Sequence, residues 1–187
     1  MVRAYRRVPP YQSGLTLLEC LVSIAIIAIM LAMALPSFRD QLATARAKAA
    51  ALQLYAAMQF ARTKAQMEGI SVILCPIHRI GADRPSCAGH FGQQIAAMAE
   101  TAEGLELMRV WQPVQGVMVT DRSGLRAVTG ELRWDQRGLG SRNLTLSVCA
   151  LSQNWSVVTN RLGRPRLVSK WGTCPCLLYT SPSPRDA

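Results

Sequence analysis

At 187 residues, half of them apolar, the chain is long enough to bury one compact core with an appendage, which excludes a disordered tail. Its net charge of +10, from 21 basic against 11 acidic side chains, points to polyanionic partners such as nucleic acid or anionic lipid without specifying a site. No Ser, Cys or carboxylate constellation with recognisable catalytic spacing occurs, and no phosphate-binding loop, so the chain reads as a binding and assembly protein, not an enzyme, and no cofactor is expected.

Arg3, Arg6 and Arg7 precede a stretch, Cys20 to Phe38, that carries no charge. A hydrocarbon core of roughly 30 Å needs about 20 helical residues, and Leu15 to Phe38 meets that length. The arginines predict a cytoplasmic N-terminus and a periplasmic remainder. An ordinary signal anchor or a cleaved secretory signal fits this much. Two features do not fit it: Ser13-Gly14 stands before the apolar run, where a signal-peptide site would follow it, and Glu19 lies inside the run. A carboxylate at the centre of a membrane helix costs about 2.5 to 3.5 kcal/mol, less near its end, and requires a partner, which a free amine on Leu15 would supply.

These residues resemble a class III prepilin leader, although Leu15 stands where Phe is commoner. The resemblance implies cleavage after Gly14 by a prepilin peptidase, N-methylation of Leu15, and pairing of Glu19 with the N-terminal amine of a neighbouring subunit during assembly. It further implies a single-pass protein of the bacterial inner membrane with a periplasmic C-terminal domain, which enters a pilus or pseudopilus beside other pilins. The membrane stretch ends at Leu35-Pro36-Ser37-Phe38, where Pro36 removes a helical donor and is expected to kink or locally open the helix.

Arg39 to Glu68 holds good helix formers and neither Gly nor Pro, which predicts one helix stopped by Gly69. Leu42, Ala45, Ala49, Leu52, Ala56 and Phe60 step at three or four residues and predict the packing stripe, with Arg46, Lys48, Arg62 and Lys64 mostly off it. Beyond Gly69, short β-rich runs at Ser71 to Cys75, Leu105 to Trp111, Gly116 to Thr120, Glu131 to Trp134, Leu144 to Cys149 and Trp155 to Thr159 predict a small antiparallel domain. The alternation in Leu144-Thr145-Leu146-Ser147-Val148 fits a strand with one buried face.

Phe60-Ala61-Arg62-Thr63-Lys64-Ala65, through Gly69 to Val72-Ile73-Leu74-Cys75-Pro76, resembles the GspH/FimT family of minor pilins and pseudopilins. With Gly163-Arg164-Pro165-Arg166 the resemblance spans most of the chain from Gly14 to Arg166 and is weakest from Phe91 to Val128. It implies a type IV pilin-like α+β fold: a long N-terminal helix, its first half transmembrane, packed on a small antiparallel β-sheet or sandwich. The expected division is a leader at 1–14, membrane helix at 15–38, periplasmic helix at 39–68 and β-rich domain at 69–175.

Of the cysteines, Cys20 lies in the membrane helix as an apolar filler. In an oxidising periplasm the economical reading of the rest is two disulfides, Cys75 with Cys87 and Cys149 with Cys174, each worth about 2 to 4 kcal/mol. Cys75-Pro-Ile-His78 and Cys87-Ala-Gly-His90 offer a rival reading as four tetrahedral zinc ligands; the compartment favours the disulfide, leaving His78 and His90 as loop residues and no metal expected.

Asn160-Arg161-Leu162-Gly163-Arg164-Pro165-Arg166, with Lys170 beyond, gathers four positive charges in ten residues. Charge alone reads as solvated surface. Gly163-Arg164-Pro165-Arg166, however, is similar to the Gly-Arg-x-Arg signature of FimT-type pilins, and the resemblance implies binding of double-stranded DNA during natural transformation through Arg164 and Arg166, with Gly163 allowing the turn. Arg161 and Lys170 would widen the patch; Trp171 could stack on a base but reads first as a core residue. The rivals are a GspH-like structural pseudopilin of a type II secretion system and a zinc-dependent periplasmic module. The final segment, Cys176 to Asp186, back-translates into a transposon-derived sequencing adapter, so 176–187 is expected to be artefactual and the natural sequence to diverge near Pro175.

Overall fold

The computed structural model describes residues 16–77, 86–151 and 153–174. Helix α1 spans Leu17–Glu68 and stays helical through residue 36. Among the described residues, those up to Arg39 form one compact unit and those from Asp40 another. The first half of α1 is long and apolar enough to cross a membrane. Thr16 caps its start, its Oγ1 accepting from the Glu19 N–H at 3.3 Å.

In the second unit eight strands follow: β1 (Ser71–Pro76), β2 (Ile95–Thr101), β3 (Gly104–Trp111), β4 (Met118–Thr120), β5 (Leu132–Trp134), β6 (Leu144–Ala150), β7 (Gln153–Thr159) and β8 (Arg166–Ser169). They form two four-stranded antiparallel sheets, ordered β3-β2-β1-β5 and β4-β6-β7-β8. One core joins the second half of α1 to both sheets through Val72, Leu74 and Ala97 on one side and Leu146, Val148 and Val157 on the other.

The helical packing face differs from the expected one. Ala43, Ala47, Ala50, Ala51, Leu54, Ala57, Met58, Ala61 and Ala65 are buried, whereas Leu42 and Leu52 are 39% and 44% exposed and Ala45, Ala49 and Ala56 also face outward. The segment is so rich in alanine that two stripes satisfy helical spacing, and the one with smaller side chains faces the sheets. Alanine ends at Cβ, so the helix backbone can approach the strands closely at native packing density.

Two strands were not expected. Ile95–Thr101 contains three alanines and a glutamate, a weak β-former by composition, and becomes a strand because it pairs with β1 on one side and, across a register shift between Ala97 and Met98, with β3 on the other. Arg166–Ser169, within the basic run, pairs with β7 through Arg166 opposite Val158. The alternation in β6 is real, but both its faces are covered. Ser147 and Cys149 are as buried as Leu146 and Val148, because residues 170–174 fold over them. There the Ser156 hydroxyl donates to the Trp171 carbonyl, Asn154 Nδ2 donates to the Gly172 carbonyl at 2.7 Å, and the Thr173 N–H donates to the Arg122 carbonyl at 3.0 Å.

Disulfides join Cys75 to Cys87 and Cys149 to Cys174, with Cα separations of 5.5 and 5.6 Å. Cys20 carries a free thiol. Bonded to each other, Cys75 and Cys87 leave no thiolates for the zinc reading. His90 instead accepts a hydrogen bond at Nδ1 from the Gly92 N–H, 3.2 Å away, and His78 lies outside the described residues.

The alanine contact has a direct test. Ala57→Leu is expected to destabilise the fold by about 1 to 3 kcal/mol through overpacking, while Thr63→Leu, on the exposed face, changes it by no more than about 0.5 kcal/mol. Thermal unfolding of both variants reads the difference.

Candidate functional site

The basic run becomes a tight turn followed by an edge strand. The Gly163 N–H donates to the Asn160 carbonyl at 2.8 Å, and Asn160 Oδ1 accepts from the Leu162 N–H at 3.1 Å. Gly163 closes this turn with φ of +71°, a conformation that costs a residue bearing Cβ about 1 to 2 kcal/mol. The space is also closed, since a Cβ there would lie 2.0 Å from the Gly138 carbonyl oxygen.

From Gly163 into β8 the burial alternates with period two. Gly163 and Pro165 are buried, and Arg164 and Arg166 are exposed. Residues two apart on an extended strand point the same way, about 6.6 Å apart along it, so the two guanidinium groups share one face. Arg161 is exposed on the same turn, its N–H donating to Asn143 Oδ1 at 3.0 Å and its carbonyl accepting from the Gly140 N–H at 2.9 Å. Among the described residues, none of Arg161, Arg164, Arg166 and Lys170 takes part in an ion pair.

Lys170 does not join this group. It lies beyond the far end of β8, four residues or roughly 13 Å of extended chain from Arg166. Trp171, read as a core residue, is 43% exposed there, with the Arg122 guanidinium 4.6 Å above its ring. The turn of the chain into residues 170–174, needed to bring Cys174 to Cys149, carries both side chains away from the Gly163 turn.

Residues not singled out in the sequence hold the site in place. The buried indole of Trp134, at the end of β5, donates from Nε1 to the Gly163 carbonyl at 3.0 Å. The loop after β5, residues 135–140, touches Gly163 on one side and α1 on the other, where Arg62 Nε donates to the Gly138 carbonyl at 3.4 Å and Gln66 Nε2 to the Arg137 carbonyl at 3.0 Å. Within that loop Asp135 accepts from the N–H groups of Leu139 and Arg137 at 2.8 and 2.9 Å. The Leu139 N–H, against the opposing effect of burial and with help from the Arg137 N–H and guanidinium, holds the Asp135 carboxyl below the ordinary aspartate range. A depressed carboxyl supports the loop above its unfolded-state pKa and loses that support as the pH falls through the lowered value. The sequence signal for this loop was Asp135-Gln-Arg-Gly-Leu-Gly140, a turn pattern with nothing to show that it would meet Gly163.

At the other end of the chain, Gly14 and Leu15 lie outside the described residues. Glu19 is exposed in the first turn of α1, with its carbonyl accepting from Ser23 Oγ at 2.7 Å and no ion pair among the described residues.

The family model described as type II transport protein GspH matches residues 50–163, and the prokaryotic N-terminal methylation motif matches residues 9–35. No curated protein sequence matches the chain significantly. Among solved structures, the type IV minor pilin FimU of Pseudomonas aeruginosa (strain PAO1) superposes with a TM-score of 0.51 at 16% identity, over 70% of this chain and 92% of that one. The minor pseudopilin EpsH from the type 2 secretion system of Vibrio cholerae gives a TM-score of 0.46 at 18% identity, over 66% of this chain and 97% of its own. At its identity FimU speaks to the fold alone, the same arrangement of a long helix and antiparallel sheets.

Proposed function

The chain belongs to the GspH family of minor pilins and pseudopilins, and from that premise we propose that it is a minor type IV pilin that captures double-stranded DNA for natural transformation through Arg164 and Arg166, assisted by Arg161. Membership makes it a non-enzymatic inner-membrane prepilin that assembles into a pilus or pseudopilus. Its DNA role rests on one observation: two exposed arginines share a face on a stretch anchored by buried Gly163 and Pro165, free of carboxylate partners among the described residues.

A guanidinium pair held this way meets phosphate oxygens with little further ordering, since the backbone carrying it is already fixed. Such contacts confer affinity without reading sequence, which suits capture of arbitrary DNA. The apolar side of α1 turned away from the sheets, with Leu42, Ala45, Ala49, Leu52 and Ala56, supports packing against neighbouring subunits in a filament. In the same reading a prepilin peptidase cuts after Gly14, Leu15 is methylated, and Glu19 pairs with a neighbour's terminal amine. The family description as a type II transport protein favours a second reading, a structural pseudopilin of a secretion system, which has no need of a polyanion site.

Binding of the full chain to double-stranded DNA in neutral detergent, across a salt series, separates the two. Salt-sensitive, sequence-indifferent binding is expected, and Arg164→Ala with Arg166→Ala should flatten the log–log salt slope by about 1.8 if each arginine meets one phosphate. A folded wild type that does not bind leaves the secretion reading. For Glu19→Ala, processing and membrane retention should persist while the chain disappears from sheared filaments; incorporation at the wild-type level would contradict its assembly role.

A further inference from the structure

We infer that the DNA site extends onto the loop after β5, where Arg137 supplies a further phosphate contact beside Arg161 and Arg164; this rests on the DNA reading above. The two arginine-bearing loops are one surface. Gly163 lies so close to Gly138 that it tolerates no side chain, since a Cβ there would meet the Gly138 carbonyl, while Gly138 itself holds a φ of +76° that favours glycine. The Gly140 N–H to Arg161 carbonyl bond continues the junction. Arg137 and Arg164 are each one residue from the touching glycines, so their side chains rise from adjoining backbone.

Arg137 is also prepared for an anion. Its carbonyl is held by Gln66 and its N–H by Asp135, which fixes the backbone and leaves the side chain 79% exposed. The only ionic partner of its guanidinium among the described residues is Asp135, 3.3 Å away and itself 40% exposed. Exposed pairs of this kind are screened by water and contribute little, so a phosphate can displace or share the guanidinium at small cost. Asp135 meanwhile remains occupied by two backbone N–H groups, so releasing Arg137 leaves the loop intact.

The result is a row of cations contributed by two parts of the chain, with Arg137 before Gly138 and Arg161 and Arg164 on the opposing turn. A row can follow a phosphate backbone where a two-residue loop can only touch it. Arg126, exposed on the loop after β4, carries the same charge outside this junction and serves as the control.

The test measures DNA binding of the full chain in neutral detergent for wild type, Arg137→Ala, Arg126→Ala and the Arg164→Ala, Arg166→Ala double variant, with thermal unfolding confirming that each is folded. Arg137→Ala is expected to reduce the salt slope by about 0.9 and to weaken binding several-fold at moderate salt, with Arg126→Ala close to wild type. If Arg137→Ala matches wild type while the double variant loses binding, the extension is wrong and the DNA reading stands. Equal losses in Arg137→Ala and Arg126→Ala reduce the effect to general charge and overturn the extension. A wild type that does not bind overturns both.

Discussion

The fold depends on how closely the second half of α1 can lie against its two sheets, and alanine sets that distance. Ala47, Ala51, Ala57, Ala61 and Ala65 are fully buried, and the larger Leu54 and Met58 fill the gaps between them. Small residues on the sheet side leave Leu42 and Leu52 for the other side, so one helix presents an inward face fixed by the domain and an outward face for a neighbour. A single subunit leaves that outward face wet; in the reading proposed above, a filament covers it. Packing within the subunit and membership of an assembly are thus two consequences of the same helical segment.

The second junction places the arginines. Trp134 reaches from the core to hold the Gly163 carbonyl, and Gly138 closes from the other side, so the turn preceding β8 is tied to both β5 and, through Arg62 and Gln66, to α1. Beyond it, burial of Pro165 and pairing of Arg166 with Val158 on the edge of the sheet keep the strand extended. The side chains that remain outside are arginines. Their position is inherited from the core, which is why a surface loop here behaves as a built feature and not as a mobile tail.

Much of this architecture was legible in the residues. The apolar run after Ser13-Gly14, the helix to Glu68 and the runs at Ser71, Leu144 and Trp155 each carry a local pattern that the structure keeps. What local pattern could not supply was phase and partnership. Alanine satisfies two helical stripes equally, so the buried face was displaced onto Leu42 and Leu52; β2 has the composition of a helix and becomes a strand only between β1 and β3. The site divides the same way. Arg161, Arg164 and Arg166 stand out by sequence spacing, but Lys170 looks equally close in sequence and lies past the far end of β8, while Trp134 and Arg137, some thirty residues away, meet the turn only through tertiary contacts, Trp134 by its bond to Gly163 and Arg137 by way of Gly138.

The central claim is that these arginines serve DNA capture and not filament assembly, and the producing bacterium can separate the two. The measurement is transformation frequency alongside surface pilus yield in a strain carrying Arg164→Ala and Arg166→Ala at the native locus. The account requires transformation to fall at least tenfold with pilus yield unchanged. Unchanged transformation, or parallel loss of both, would contradict it and assign the basic turn to assembly or to no function.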